Sequence, residues 1–354
     1  MNEQELQVPN ISRRHLWLVL TPVALIALML LGAAWLFWLP NRFDESERVV
    51  IIPRGASFPV IVDSLISGGV LKNRTSFEYA ANILDATKSL QFGKYRFKSG
   101  ISNLALLRDL HKGLSNYPIP VRVGEGARMH RVAARFAKEV GADSAEFVSL
   151  CQNPLFIKSL GIDAPTLEGY LLPDTYLFKW QKEEHEIIRT LVGAFKQFYS
   201  DSLLERQEKS KLSLKQVLTL ASIVEGETAI DSERTTIAGV YLNRLRIRMP
   251  LQADPTIQYI LPDGPRRLLY SDLRINSPYN TYRNAGLPPG PINNPGRKSI
   301  LAVLYPEKNK YLYFVADGTG GHAFSKTYTE HQRAVRNWRR MRREIESNAA
   351  RIGG

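Results

Sequence analysis

The residues best placed to do chemistry lie in residues 213–228, SLKQVLTLASIVEGET. Ser213 and Gln216 have the spacing of a capping box, so the segment predicts a helix beginning at about Leu214. With about 100° between successive residues, Leu214, Val217, Leu218, Ala221 and Val224 fall on one side and form an apolar stripe. Glu225 follows Leu218 by seven residues and Ala221 by four, which places it inside that stripe. Glu227 would point to the opposite side if the helix continued past Gly226. A carboxyl on a core face must be neutral, paired with a cation or open to a cleft, because an isolated buried charge is too costly. Burial raises its pKa, which suits a proton donor at neutral pH. The competing outcome is a buried ion pair with Arg234 or Arg244 on the next helix.

Other side chains suit recognition. Tyr279, Asn280 and Tyr282 lie in a loop rich in Pro and Gly, where amides can hydrogen-bond a ligand and aromatic faces can stack on it, although ordinary loop closure needs the same residue types. Gln252 and Asp254 offer hydrogen-bonding groups, but Asp254 before Pro255 also starts turns readily. Glu168 either lines a cleft or anchors its own turn. His322 beside Gly320-Gly321 reads as a loop histidine. Several chemistries lose their warrant: no H-E-x-x-H, G-x-S-x-G or Walker A pattern occurs, and Gly124-Glu125-Gly126 lacks a third glycine. The lone Cys151 excludes a multi-cysteine metal site, and the six histidines lack metal-ligand spacing, so neither metal nor cofactor is expected. A net charge of +13 points to a polyanionic partner, but no helix-turn-helix or RNA-binding signature makes that partner nucleic acid.

The elements that position these residues begin with a membrane segment. Residues 16–39 form an uncharged run of 24 residues, against the about 20 needed to span a bilayer. Trp17, Trp35 and Trp38 lie towards its ends, where indoles favour the interface. A cleaved signal peptide would have a shorter apolar core of about 7–15 residues. Arg13 and Arg14 precede the span and Arg42, Arg48 and Arg54 follow it, so charge leaves the orientation open. Beyond it a strand–Gly–helix pattern recurs: residues 49–52 with a helix ending at Gly68-Gly69, residues 95–97 with one ending at Gly113, and residues 121–123 with one ending at Gly141. Residues 143–212 read mainly as helix, interrupted by the turn-rich stretch 167–176. Residues 248–330 are loop-rich, with short strand-like runs such as 311–315. The chain closes in a basic helix on which Arg333, Arg336, Arg340 and Arg343 share a face, with Val335, Trp338 and Ile345 as apolar anchors. That face is either a solvated surface or a contact with anionic lipid headgroups.

The segment ASIVEGE (221–227) resembles the catalytic-helix signature of the YceG-like (MltG) endolytic murein transglycosylases. LQADPT (251–256), YNTY (279–282) with GLPPGPI (286–292), LEGYLLPDTY (167–176) and FVADG (314–318) with Gly321-His322 resemble further blocks of that family, in the same order. Gly226 stands where many members carry Lys or Arg. The resemblance implies an α+β protein: a cytoplasmic tail (1–15), one transmembrane helix (16–39), a LysM-like strand/helix module (46–122), a catalytic domain (123–345) with a helical insertion (143–212), and a tail (346–354). It implies a bacterial inner-membrane enzyme with its catalytic domain outside the cytoplasm, working on peptidoglycan beside synthases. It further implies that Glu225 on its helix cleaves the MurNAc–GlcNAc bond within glycan strands and leaves 1,6-anhydroMurNAc ends. Gln252, Asp254, Tyr279, Asn280, Tyr282, Glu168 and Glu227 are then the candidate substrate contacts. A hydrolytic muramidase using Glu227 or Asp254 to activate water, and a non-catalytic wall-binding scaffold, remain as alternatives.

Overall fold

The computed structural model describes residues 13–262 and 264–352, with side chains placed over most of that range. The fold is α+β, and the chain divides into two compact units, Met1–Pro118 with Lys179–Gln181, and Ile119–Phe178 with Lys182–Gly354.

The first unit opens with α1 (Arg13–Phe37), which is exposed along most of its length and, over Leu20–Phe37, long and apolar enough to cross a membrane. Then follow β1 (Pro40–Asn41), β2 (Glu47–Ile52), α2 (Phe58–Ser67), α3 (Arg74–Ile83), β3 (Gly93–Lys98), β4 (Ile101–Ser102) and α4 (Asn103–Lys112). β2 and β3 pair antiparallel from Glu47↔Lys98 to Ile52↔Gly93, and their alternate residues Val50, Ile52, Tyr95 and Phe97 are buried. They pack on Ile61, Val62 and Leu65 of α2, Phe77 of α3 and Leu106, Leu107 and Leu110 of α4, forming one core. Phe37, the last residue of α1, packs against this core, and Asn103 donates to the Leu36 carbonyl at 2.9 Å, so α1 ends directly on this core. α4 stops where Gly113 turns left-handed at φ 63°, as its sequence position predicts.

The second unit contains β5 (Ile119–Arg122), α5 (Met129–Val140), α6 (Ser144–Gln152), α7 (Pro154–Ser159), β6 (Thr175–Phe178), α8 (Glu184–Phe198), α9 (Asp201–Ser210), α10 (Leu214–Glu227), α11 (Arg234–Arg246), α12 (Asp254–Ile260), α13 (Arg297–Leu304), β7 (Tyr313–Ala316), β8 (His322–Ser325) and α14 (Tyr328–Ile352). β5 pairs antiparallel with β6, and both strands lie in this unit, which begins at Ile119. β6 begins in the last two residues of the turn-rich stretch 167–176 and runs on to Phe178. Phe136 of α5 stacks on Phe147 of α6 and meets Phe178 of β6 edge-on, which fixes the strand pair against the helices. α10 lies at the centre of the unit, packed by α11, α12 and α13.

Candidate active site

The capping box of α10 forms with both bonds present: Gln216 N–H donates to Ser213 Oγ at 3.2 Å and Ser213 N–H to Gln216 Oε1 at 2.8 Å. Its one-sided stripe does not survive packing. Every residue from Val217 to Val224 is buried, including Thr219, Leu220, Ser222 and Ile223 off the stripe. A helix enclosed on all sides has no solvent face, and tertiary neighbours decide which carboxylate meets a cavity. Ser222 shows how polar residues are accommodated there. Its Oγ donates to the Thr219 carbonyl and accepts from Ile292 N–H, while its own carbonyl accepts from Asn293 Nδ2 at 2.9 Å.

The side chain of Glu225 is buried as its position predicts, and it is not among the residues that line the pocket described below. Its Oε1 lies 3.2 Å from the Arg234 guanidinium, with the two side chains 7% and 5% exposed. Its Oε2 accepts from Gly296 N–H and Ser299 Oγ, both at 2.9 Å. Ser299 in turn accepts from Arg234 at 2.6 Å, and Arg234 reaches Asp231 at 3.1 Å. Gly126 backs the side chain, for a Cβ there would sit 3.5 Å from Glu225 Cγ. The ion pair with the first residue of α11 is thus the outcome realised, and both oxygens of Glu225 have partners inside the protein. Arg244, the other candidate cation, donates instead to the carbonyls of Leu251 and Leu312, at 2.5 and 2.6 Å.

The carboxylate that reaches a cavity is Glu227. It lines a pocket of about 330 Å³ together with Gly126, Arg131, Asp254, Gln258, Ile292 and Asn293. Burial pushes its pKa up to about 7. The hydrogen bond from Tyr241 opposes the rise, the Asp254 charge adds to it, and the positive charge of Arg244 opposes it. Tyr241 Oη donates to Glu227 Oε1 at 2.5 Å, which leaves Oε2 as the second oxygen of the acid. Gly226 makes this geometry possible: a Cβ there would come within 2.7 Å of Pro255, so only glycine lets α10 and α12 approach so closely without a shift.

The pattern of the YceG-like family matches residues 50–337. An endolytic murein transglycosylase of Bacillus subtilis strain 168 is 35% identical over 326 residues, covering 86% of this chain and 90% of the relative. One from Streptococcus pneumoniae strain R6 is 30% identical over 330 residues, covering 84% of this chain but 59% of the longer relative. The crystal structure of a yceG-like protein from Listeria monocytogenes superposes with a TM-score of 0.59 at 33% identity, over 82% of this chain and 99% of its own. The chain belongs to the YceG-like family.

In this YceG-like chain the remaining candidates separate by what their polar atoms do. Asp254 lines the pocket, and its Oδ1 accepts from Tyr282 Oη at 2.5 Å, so Tyr282 holds the carboxylate from behind while staying outside the pocket lining. Gln252 is exposed at φ +48°, and its side chain is not part of the pocket lining. Asn280 is fully buried: its Nδ2 donates to the carbonyls of Leu273 and Ile275, and its Oδ1 accepts from Tyr282 N–H. The loop-closure role is realised for Asn280, and its amide offers nothing to a ligand. Tyr279 is half-buried, its ring 4.9 Å from that of Tyr259, over which the Arg128 guanidinium lies at 5.0 Å. Glu168 does not line the cleft. It is 5% exposed and accepts the N–H of Met129, the first residue of α5, at 2.9 Å. Asn294 completes that anchor, donating to Glu168 Oε1 at 2.9 Å and accepting from Gly169 and Leu171 N–H. Burial raises Glu168 to about 7, against the Met129 N–H, the Arg128 charge and the Asn294 amide. His322 sits on Glu233, Nδ1 to Oε2 at 2.7 Å, and ties the β7–β8 hairpin to the start of α11.

Sequence reading overlooked Tyr241, Arg131 and Asn293. Only Asn293 carried a signal, as a polar residue directly after the GLPPGPI block; it lines the pocket and its Oδ1 lacks a hydrogen-bond partner among the described residues. Among the described residues no group of His, Cys, Asp and Glu is arranged to hold a metal ion.

Proposed function

We propose that the chain is an endolytic murein transglycosylase, the activity for which its relatives are named, with Glu227 as the single acid and base. The observation that carries this reading is the Glu227 carboxyl, raised to about 7 and opening onto the pocket. Near neutral pH such a group is divided between its two protonation states, the condition in which proton donation and acceptance are both effective. Glu227 in its acid form protonates the glycosidic oxygen that leaves with GlcNAc. The 2-acetamido carbonyl of MurNAc stabilises the anomeric carbon as the bond breaks. Glu227 carboxylate then takes the proton of the C6 hydroxyl, whose oxygen closes on C1 to give the 1,6-anhydro end, and no water is consumed. Tyr241 holds one oxygen of Glu227 so that the other faces substrate, while Asp254, held by Tyr282, offers a second polar group in the same pocket. Glu225, locked on Arg234, Ser299 and Gly296 N–H, positions the end of α10 rather than touching sugar.

The pairing of Asp254 with Glu227 in one pocket favours a second reading, a two-carboxylate muramidase in which Asp254 activates water. Mass spectrometry of products from purified glycan strands tests both. The proposal expects 1,6-anhydroMurNAc ends, with cleavage abolished by Glu227→Gln. Reducing MurNAc ends would establish hydrolysis, and full activity of the Glu227→Gln variant would sink the assignment of the acid.

We further propose that α1 anchors the enzyme in the inner membrane with residues 1–15 in the cytoplasm and both units outside it, within reach of strands leaving the synthases. The unit that carries β2, α2, α3 and β3 is read as a LysM-like wall-binding module, on the support of its compact strand–helix–strand core.

A further inference from the structure

We propose that one face of α14 is a docking surface for the anionic headgroups of the bilayer in which α1 is anchored. The inference rests on the anchoring proposed above. α14 packs against β7 and β8 with a single side. His331 stacks on Tyr313 at 5.2 Å, and Trp338 and Met341 lie against Gly318, where a Cβ would stand 3.3 and 3.2 Å from them. At about 100° per residue, Arg333, Arg336, Arg339, Arg340 and Arg343 fall within an arc of about 120° on the opposite side. All five are exposed. Among the described residues no carboxylate pairs with any of them. The side chain of Ile345, expected to add apolar anchorage, lies outside the described residues, as do those of the glutamates that follow Arg343.

A rise of about 1.5 Å per residue spreads these charges over about 15 Å along a straight helix, a row that can lie flat on a plane of phosphates. The hairpin beneath presents the row outward, since the apolar side is already spent. Lipid is the favoured occupant because a chain held in the bilayer keeps this face at a high effective concentration of headgroups, which a free polymer must match by diffusion. Each arginine near an anionic surface shifts the equilibrium by about fivefold.

The test uses the full chain in lipid nanodiscs, with Asn337→Cys labelled by a fluorophore beside the arginine row. The native Cys151 is fully buried and stays unlabelled. Phosphatidylcholine discs and discs containing phosphatidylglycerol each carry a headgroup spin label that quenches the fluorophore on contact. Quenching is expected in the anionic discs only. It should fall in high salt, as the Debye length shrinks from about 8 Å, and fall by roughly a hundredfold in apparent equilibrium constant when Arg336, Arg340 and Arg343 become Gln. Equal incorporation of this variant into discs separates loss of docking from loss of anchoring. Equal quenching in both lipids, none in the anionic discs, or quenching that survives both salt and substitution would overturn the proposal. Binding instead to soluble poly(glycerol phosphate), with no quenching by lipid, would assign the face to a wall polymer and overturn it too.

Discussion

Glu225 and Glu227 are two residues apart and have opposite surroundings, which makes their substitutions distinguishable. Glu227→Gln keeps an acceptor for Tyr241 and removes a proton, so the thermal midpoint should hold while the rate falls about a hundredfold to ten-thousandfold. Glu225→Gln leaves the buried Arg234 with only the half-exposed Asp231 as counter-charge, a defect that costs up to about 3–5 kcal/mol. Its activity loss should follow the folded fraction seen by circular dichroism and recover in part on cooling. Equal rate losses with unchanged midpoints would mean that both carboxylates act on substrate. The pH profile follows from Glu227 as well: protonation is required for the first step, so the rate for bond cleavage should decline as pH rises through about 7. Glu168 gives the same window a stability signature. Its folded pKa of about 7 exceeds the ordinary 4.5, so the folded state holds its proton more tightly. That contribution is complete below about 4.5 and lost as pH rises to about 7, an effect on the order of 3 kcal/mol. Thermal midpoints measured across this range should fall with pH, and Glu168→Gln should flatten the fall.

At the scale of the element, α10 shows what a single sequence carries and what it does not. The capping box fixed where the helix begins, because Ser213 and Gln216 act locally. Strand β2, strand β3 and the glycine stops at Gly113 and Gly141 were equally legible, since each depends on a few adjacent residues. The short helix α3 and the β5–β6 pairing were not, because Phe77 and Phe178 find their partners far along the chain. Which of the two carboxylates lines the pocket was hidden for the same reason. Periodicity gives the side of a helix, but residues 291–299, Pro255 and Tyr241 decide which side is walled and which is open. Gly226 illustrates the cost of altering that arrangement. In Gly226→Ala the new methyl meets Pro255 at 2.7 Å and must push α12 away. Overpacking of this kind costs about 1–3 kcal/mol. Displacement of Asp254 should raise KM for glycan more than it lowers kcat, and steady-state kinetics on purified strands would show whether it does.

At the scale of the whole molecule, the span and the chemistry are separable. All the residues of the pocket come from the second unit, and α1 contributes only its last turn to the core of the first. A chain lacking residues 1–36, which retains Phe37, should be soluble, keep native circular dichroism and cleave isolated strands at close to the full-length rate. Loss of cleavage by a folded truncated chain would make the membrane helix part of the catalytic apparatus.

The enclosure of α10 has a consequence for proton traffic of another kind. Its backbone amides from Val217 to Val224 are buried on every side and bonded within the helix. Local fraying cannot bring solvent to them without removing α11, α12 and α13 together. Their deuterium uptake should therefore proceed only through global unfolding, and its rate would report the stability of the second unit directly. Mass spectrometry of peptides spanning these residues should find them the last to exchange, and a Glu225→Gln chain should exchange them faster in proportion to its lost stability. The site would then carry its own gauge: the slowest-exchanging peptide in the protein ends three residues before Glu227, the proposed acid.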